Sequence, residues 1–212
     1  MRALAIALLL AASPALAQQP RSVPLASDAI ETGSPTDRCA AAQTGRGPPP
    51  AWAMINDASA SDGRALTEMT RDRSDDRFAL CIAPLQARNL ELNVRFRIVG
   101  GQVEQAAGLA LRVLDAGTYY VVSADARANA VRLYRVVGGA RTQIAGRDIS
   151  VTADDWHSLR LRASGDMFQV SLDGARLFEA SDRTIGQAGR IALWIKSDSA
   201  TRFERLMATV LD

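Results

Sequence analysis

Apolar and polar residues alternate with a period of two in several short segments of the chain. Five segments show this most clearly: 90–98, 108–114, 157–163, 167–172 and 190–196. In the first, LELNVRFRI, every second residue from Leu90 to Ile98 is apolar and the residues between them are Glu, Asn and Arg. Because alternate side chains of a strand point to opposite faces, this pattern predicts half-buried antiparallel strands. No segment after residue 17 has a convincing helical period, so we expect an all-β protein.

Turn sequences separate these strands. They are VVGGAR at 136–141, ASGD at 163–166 and LDGAR at 172–176, the last with the hairpin dipeptide Asp173-Gly174. The stretch GTYYVVSADARANAVRLYRV (117–136) predicts two more neighbouring strands, joined by SADARANA. This number of strands favours a two-sheet antiparallel β-sandwich over a small barrel.

The N-terminal end predicts export. Residues 1–17 have the arginine, apolar run and Ala-Leu-Ala triplet of a signal peptide cleaved after Ala17. The apolar run is shorter than the ~20 residues that a membrane-spanning helix needs, so no membrane insertion is expected. Residues 18–36 are rich in Pro, Ser and Thr and predict a flexible segment, and 37–212 predict a single domain. The mature protein is expected in the periplasm or outside the cell.

Charge and cysteine content narrow the classes of partner. The formal net charge is +2, which argues against nucleic acid because nucleic-acid-binding proteins concentrate basic residues on one face. The two cysteines, Cys39 and Cys81, predict a disulfide in an exported protein. Free thiols or a metal site are the alternatives, but a metal site needs more ligands and the chain has one histidine. No cofactor and no metal are predicted.

Three longer stretches carry a resemblance to known proteins: 103–146, 154–180 and 189–206. In order they contain an AG-x-x-x-R strand, YYVV, V-x-LY, WH-x-L-R, V-x-LDG and G-x-x-x-LW. They resemble the concanavalin A-like lectin/glucanase jelly roll and, more narrowly, the bacterial domain family named for 3-keto-disaccharide hydrolases. The N-terminal third matches only through PPPAW (48–52). The resemblance implies a jelly roll whose concave face binds saccharide in many relatives, whereas fold alone implies little about chemistry.

Catalytic candidates are weak. Glycoside hydrolysis needs two carboxylates about 5–10 Å apart, and the chain has no E-x-D-x-x-E string of the laminarinase type. Glu104 is the one weak candidate for an acid or base. His157 follows Trp156 in the WH-x-L-R pattern, where the resemblance implies a structural role, and no Gly-x-Ser-x-Gly string accompanies it.

A calcium loop at 56–68 is also disfavoured. Asp57, Ser59, Ser61 and Glu68 have the required spacing, but Asp62 occupies the position where the sharp turn needs glycine. A hairpin turn leading into a strand near Ala65–Met69 is the preferred interpretation.

The remaining candidates are outward-facing polar and aromatic side chains that could bind a saccharide. Aromatic rings and planar or charged donors are the groups that such ligands contact. We select candidates that strand alternation places opposite the core side or that lie in the family-like segment 103–112. They are Gln105, Arg112, Tyr120, Arg132, Tyr134, Trp194 and Lys196. Cross-strand pairing can also account for such residues, and of Tyr119 and Tyr120 one is expected in the core. The sequence therefore favours a carbohydrate-binding or glycoconjugate-binding domain, with a hydrolase of 3-keto-disaccharides or related glycosides, or an envelope protein-interaction module, as alternatives.

Overall fold

The structure is a computed structural model that describes residues 19–26 and 30–212. These residues form fifteen β-strands, numbered here in chain order, which pair antiparallel into two sheets. In spatial order, sheet A contains β13 (Ala175–Ser181), β12 (Met167–Leu172), β11 (Trp156–Ser164), β6 (Leu90–Gly100), β15 (Ala200–Val210), β4 (Arg64–Glu68) and β3 (Trp52–Asn56), and β1 (Arg21–Ser22) also pairs with β15. Sheet B contains β10 (Ala140–Asp148), β9 (Ala130–Val137), β8 (Thr118–Asp125), β7 (Ala106–Asp115), β14 (Gly189–Lys196), β5 (Phe78–Ala87) and β2 (Ala40–Thr44).

The main core lies between the two sheets. The alternating residues of β6, namely Leu90, Leu92, Val94, Phe96 and Ile98, are each 0% exposed, and the residues between them lie on the outer face of sheet A. The all-β sandwich is therefore confirmed. The described residues include no helix long and apolar enough to cross a membrane.

The predicted hairpin turns are also present. Asp173 and Gly174, between β12 and β13, both have positive φ angles of 50° and 80°. Gly138 and Gly139, between β9 and β10, have φ angles of 58° and 82°. Two successive positive φ angles are the requirement of the type I′ turn, whose twist matches that of the flanking strands.

Sheet B differs from sheet A because its middle strands are buried on both faces, whereas its edge strands β10 and β2 are largely exposed. A second apolar cluster covers its outer face and includes Phe78, Leu80, Val121 and Trp194. Strands buried on both faces have few polar positions, which explains why β5 begins with the nearly continuous apolar run FALCIA. Tyr119 and Tyr120 point to opposite faces, and one of them, Tyr120, lies in the main core as expected. Tyr119 lies in the outer cluster, so both side chains are 0% exposed.

The outer cluster is closed by a strong coiling of sheet B. Thr44 lies at the end of the edge strand β2, and three strands separate β2 from β8. In a flat sheet these strands would be about 19 Å apart. The Thr44 hydroxyl nevertheless donates to the carbonyl of Ala116 in the β7–β8 turn, and its oxygen lies 2.8 Å from the Tyr119 hydroxyl. Two diagonal corners of the sheet therefore meet over its outer face.

The N-terminal segment is attached to sheet A along much of its length. β1 pairs with β15, the Gly33 amide donates to the Met54 carbonyl over 2.7 Å, and Pro35 forms a bridge with Ala53. Backbone groups make these contacts within the described part of 18–36, and the flexibility expected of this segment stays a prediction. The predicted signal peptide at 1–17 lies outside the described residues.

The predicted disulfide between Cys39 and Cys81 is present, with Cα atoms 5.2 Å apart. Cys81 lies in β5, and Cys39 immediately precedes β2. The bond therefore links the edge strand that closes the outer cluster to the strand beside it.

Candidate functional site

A pocket of 480 Å³ opens at one side of the closed corner of sheet B. It is lined by three basic, two acidic, one aromatic and one hydroxyl-bearing side chain: Arg46, Arg141, Lys196, Asp75, Asp76, Phe78 and Ser74. Its volume lies within the range of small-ligand sites, and charged groups line most of it.

Phe78 forms the apolar part of the pocket, and its ring stacks on the buried indole of Trp194. The Phe78 and Trp194 rings stack with centroids 5.4 Å apart and an interplanar angle of 14°. Trp194 in turn fits against Gly108 on β7, where an added Cβ would lie 2.9 Å from the indole ring. A glycine on β7 thus leaves room for the indole, and the indole fixes the pocket aromatic.

Arg141 covers Phe78 and the ring of Tyr134 beside the pocket. It lies near the start of β10, and its guanidinium carbon is 4.9 Å from the Phe78 ring centroid and 4.4 Å from that of Tyr134. Both distances are typical of cation–π contacts. Within the part of the chain that the structure describes, the Arg141 side chain has no hydrogen bond or ion pair.

Lys196 connects two carboxylates at the other side of the pocket. Its ammonium contacts Glu104 and lies 3.2 Å from Asp75 Oδ1. Although partial burial acts against the charged form, the contacts with Glu104 and Asp75 raise the pKa of Lys196 above its ordinary value. The remaining acid, Asp76, pairs with Arg46 over 3.0 Å.

The loop that carries Asp75 and Asp76 is anchored by a buried ion pair. Arg77 and Glu68 are both 0% exposed at their side chains, and Arg77 Nη2 lies 3.1 Å from Glu68 Oε1. Arg77 also donates to the Pro48 carbonyl, and Glu68 accepts the amide hydrogen bond of Arg71. These bonds fix both ends of the segment from β4 to β5.

The loop that carries Glu104 is anchored by Asp198. Its carboxylate accepts hydrogen bonds from the backbone amides of Gln102, Val103 and Glu104, at 2.8, 3.0 and 3.1 Å. Although burial opposes ionisation, these amide hydrogen bonds hold the pKa of Asp198 below its ordinary value. Glu68 and Asp198 are buried and do not line the pocket, but their contacts position the loops that do.

Comparison with known proteins shows the fold. The chain matches no protein-family model and no curated protein. It is similar to the carbohydrate-binding module CBM66 from Bacillus subtilis, with 18% identity, a TM-score of 0.66, and coverage of 82% of this chain and 97% of that chain. It is also similar to a Bacillus subtilis protein of unknown function with a galectin-like fold (12% identity, TM-score 0.55, coverage 74% and 88%). A third similar structure is a "putative glycosyl hydrolase" from Parabacteroides distasonis (16% identity, TM-score 0.52, coverage of 74% of this chain and 93% of that chain).

These likenesses confirm the predicted jelly-roll sandwich and extend over most of the chain. At such low identity they show the fold alone. No match identifies the narrower family named for 3-keto-disaccharide hydrolases.

The structure brings several of the candidate residues together at the pocket. Lys196 lines it, Tyr134 lies under Arg141, and Glu104 reaches it through Lys196. Arg132 lies on the same face of β9, two residues before Tyr134, and pairs with Asp148. Gln105 is half-buried, and its amide donates to the Gly101 carbonyl.

Arg112, Tyr120 and Trp194 do not face solvent, and that expectation is wrong. They are 0%, 0% and 1% exposed. Trp194 does point to the outer face of sheet B, but the coiling of the sheet covers it. Tyr120 lies on the opposite face, in the main core, where its hydroxyl donates to Asp182 Oδ1 over 2.6 Å.

Arg112 is buried because β7 is irregular at this point. Its φ angle is 50°, and the strand register shifts between Leu111 and Asp115. The guanidinium reaches the carbonyls of Arg88, Ile185 and Gly165, at 3.0, 2.8 and 2.5 Å. Arg112 therefore joins three loops at one end of the sandwich, a role that alternation alone does not reveal.

Most pocket residues were not predicted from the sequence. Arg46 and Arg141 lie just after the turn glycines Gly45 and Gly139, and Asp75 and Asp76 lie in the loop before β5, where alternation gives no signal. The one available signal was Phe78, which opens an apolar run too continuous for a strand with one solvated face.

The other candidates for chemistry have structural partners. His157 Nδ1 lies 2.7 Å from Asp173, and its Nε2 lies 3.0 Å from the Thr152 carbonyl. The segment 56–68, which has part of the spacing of a calcium loop, forms the predicted turn between β3 and β4 and the strand β4 itself. Glu68 at its end is buried. Among the described residues no group of three His, Cys, Asp or Glu side chains could hold a metal.

The outer face of sheet A also carries arginines, but they have partners on that face. Arg95 lies 5.1 Å from the Trp156 ring and pairs with Glu204, and Arg97 lies 3.5 Å from Asp154. This surface is a network of mutually satisfied groups and is a weaker candidate site than the pocket.

Proposed function

We propose that this protein is an exported domain that binds a carbohydrate or glycoconjugate without catalysing a reaction, at the pocket between Arg46, Phe78, Arg141 and Lys196. One observation carries the proposal: aromatic and charged side chains converge on a pocket held rigidly by two anchored loops. Similarity in fold to a carbohydrate-binding module supports the same class of ligand.

The pocket contains the groups that sugars require. Carboxylates accept hydrogen bonds from sugar hydroxyls, and guanidinium and ammonium groups donate hydrogen bonds to them. These charge-assisted hydrogen bonds are stronger than neutral ones. Phe78, Tyr134 and the flat guanidinium of Arg141 provide an apolar and planar floor. Because Phe78 stacks on Trp194 and Arg141 stacks on Phe78, binding costs little further ordering of these side chains.

A glycan array with the mature protein tests this function, followed by calorimetric titration of the glycans that bind. The variant Phe78→Leu loses the aromatic surface of the pocket and one of the two rings under Arg141, so affinity should fall about tenfold. Phe178→Leu is the matched control, because it makes the same change at a half-buried phenylalanine of β13 in sheet A. If the folded protein binds no glycan, or if both variants weaken binding equally, the proposal is wrong.

A hydrolase is the second candidate, because Glu104 and Asp75 both contact the Lys196 ammonium and are thus close together. The same contacts disfavour it, since the Lys196 ammonium occupies both of the carboxylates that a glycosidase would direct at its substrate. Incubation of pure protein with 3-keto-disaccharides and related glycosides should release no product. Release that is abolished in Glu104→Gln would instead establish the hydrolase.

An envelope protein-interaction module is the remaining alternative, and no specific observation favours it. The exposed large apolar side chains of the described residues, Met69, Leu114, Val137 and Met167, lie in four separate segments of the chain.

Export to the periplasm or the cell exterior accords with the Cys39–Cys81 disulfide, because such bonds persist in oxidising compartments. Fractionation of the source cells tests it, with mature protein starting at residue 18 as the expected product. Recovery of the uncleaved chain in the cytoplasm would contradict it.

A further inference from the structure

Among the residues that the structure describes, the ion pairs of the pocket leave one cation without an acidic partner. Arg46 pairs with Asp76, and Lys196 pairs with both Asp75 and Glu104. Every acid at the pocket is thereby matched to a basic group. Arg141 remains, lying over two rings with no acceptor among the described residues.

The other arginines that stack on aromatic rings show how unusual this is. Arg95, over Trp156, pairs with Glu204, and Arg112, over Tyr120, donates to three carbonyl groups. Of the three arginines with ring contacts in the described part of the chain, Arg141 alone has its donors free. Stacking fixes the plane of its guanidinium, and the exposed edge can present two parallel N–H groups to an oxyanion.

We propose that the pocket selects saccharides that carry an anionic group, a uronate carboxylate or a sulfate ester, and that Arg141 binds this group. The inference rests on the proposed saccharide-binding function and adds the chemical class of the ligand. A neutral sugar would offer the Arg141 donors only hydroxyl acceptors, whereas an oxyanion forms stronger, charge-assisted hydrogen bonds with them. Arg141 would then have an anionic partner, as Arg46 and Lys196 already have.

The test uses an array of matched trios, in which each oligosaccharide backbone is present in neutral, uronate and sulfated form. Calorimetric titrations of the best trio then compare the wild type with Arg141→Gln, Arg141→Lys and Arg160→Gln. Arg160 is the control because it is an exposed arginine on the outer face of sheet A, away from the pocket. Thermal unfolding confirms that each variant is folded.

The wild type should bind one anionic form about tenfold more tightly than the neutral form, and added salt should reduce this preference. Arg141→Gln should bring the two affinities together, Arg141→Lys should keep part of the difference, and Arg160→Gln should leave it unchanged. The uronate and sulfate members of each trio identify which oxyanion is preferred.

Equal affinity for neutral and anionic forms would overturn the inference and leave the saccharide-binding function standing. An anionic preference that persists in Arg141→Gln would overturn the assignment to Arg141. Absence of binding to every trio would overturn the proposed function and this inference together.

Discussion

Thr44 and Tyr119 are joined by a 2.8 Å hydrogen bond between their hydroxyl groups, although three strands lie between β2 and β8. The Thr44 proton is used in the bond to the Ala116 carbonyl, so Tyr119 must be the donor to Thr44. Burial raises the pKa of Tyr119, which favours the neutral phenol that this role needs. This contact closes sheet B over its own outer face and leaves the pocket at the side of the closure.

The Thr44–Tyr119 contact should be measurable by a double-mutant cycle. Tyr119→Phe removes one buried hydrogen bond and should cost about 1 kcal/mol, whereas Thr44→Val leaves two buried polar groups unpaired and should cost about 2 kcal/mol. Urea unfolding of both single variants and the double variant gives the coupling, expected at about 1 kcal/mol. Strict additivity would mean that the two corners do not support each other.

Alternation of apolar and polar residues predicted sheet A well because such alternation arises when one face of a sheet is buried and the other is solvated. β6 and β11 have one face against the core and one face in water, so period two identifies both faces. Asp173-Gly174 and Gly138-Gly139 gave the hairpins for a similarly local reason, since φ > 0 is a property of the dipeptide.

Sheet B and the pocket were less predictable because they depend on long-range geometry. Trp194 points to the outer face of β14, as expected, yet it is 1% exposed. Coiling of sheet B brings the end of β2 to Tyr119 over that face. Arg112 does not lie on the face that alternation predicts, because the register of β7 shifts between Leu111 and Asp115. The pocket joins Arg46, Asp75 and Arg141, which are far apart in sequence and lie near turns or loops, where periodicity carries no information.

Gly189 should not tolerate a side chain. A Cβ there would lie 2.5 Å from the Arg112 carbonyl carbon and 2.7 Å from its Cα, both backbone atoms that cannot move aside. Gly189→Ala should therefore destabilise the protein by about 2–3 kcal/mol, measured by chemical denaturation.

Gly186→Ala is the matched control for Gly189→Ala. No atom lies within 4 Å of its added Cβ, and its φ is not in the left-handed region. Its effect should stay within about 1 kcal/mol and can be stabilising, since alanine restricts the unfolded chain. Similar losses in both variants would show that the tight contact with Arg112 does not exist in solution.

Acid should destabilise the protein through Glu68. Burial opposes ionisation of its carboxyl, but hydrogen bonds from Thr70, Arg71 and Arg77 hold the pKa of Glu68 below 4.5. A carboxyl whose pKa is lower in the folded state stabilises the fold above the unfolded pKa and loses this contribution as pH falls through the folded pKa. The melting temperature should therefore fall as pH drops below about 4.5.

Glu68→Gln checks the origin of this acid sensitivity. At pH 7 it should cost about 3 kcal/mol, because Arg77 stays buried without its counter-charge. As pH falls below about 4.5 the difference from the wild type should narrow, since the unfolded wild-type chain then takes up a proton at this carboxyl. A constant difference across pH would assign the acid sensitivity to other groups, with Asp198 the next to test.

Reduction of the Cys39–Cys81 bond should weaken both the fold and the pocket. The bond spans 42 residues, and closing such a loop in the unfolded chain corresponds to about 4 kcal/mol on the loop-entropy model. The bond also fixes β2, whose far end carries Thr44 and leads into Arg46 at the pocket. The Cys39→Ser/Cys81→Ser variant should therefore unfold at lower denaturant and bind the saccharide more weakly under conditions where it is fully folded. Weakened stability with unchanged affinity would show that the Thr44 corner holds the pocket without the disulfide, and mass spectrometry of the exported wild type should find no free thiol.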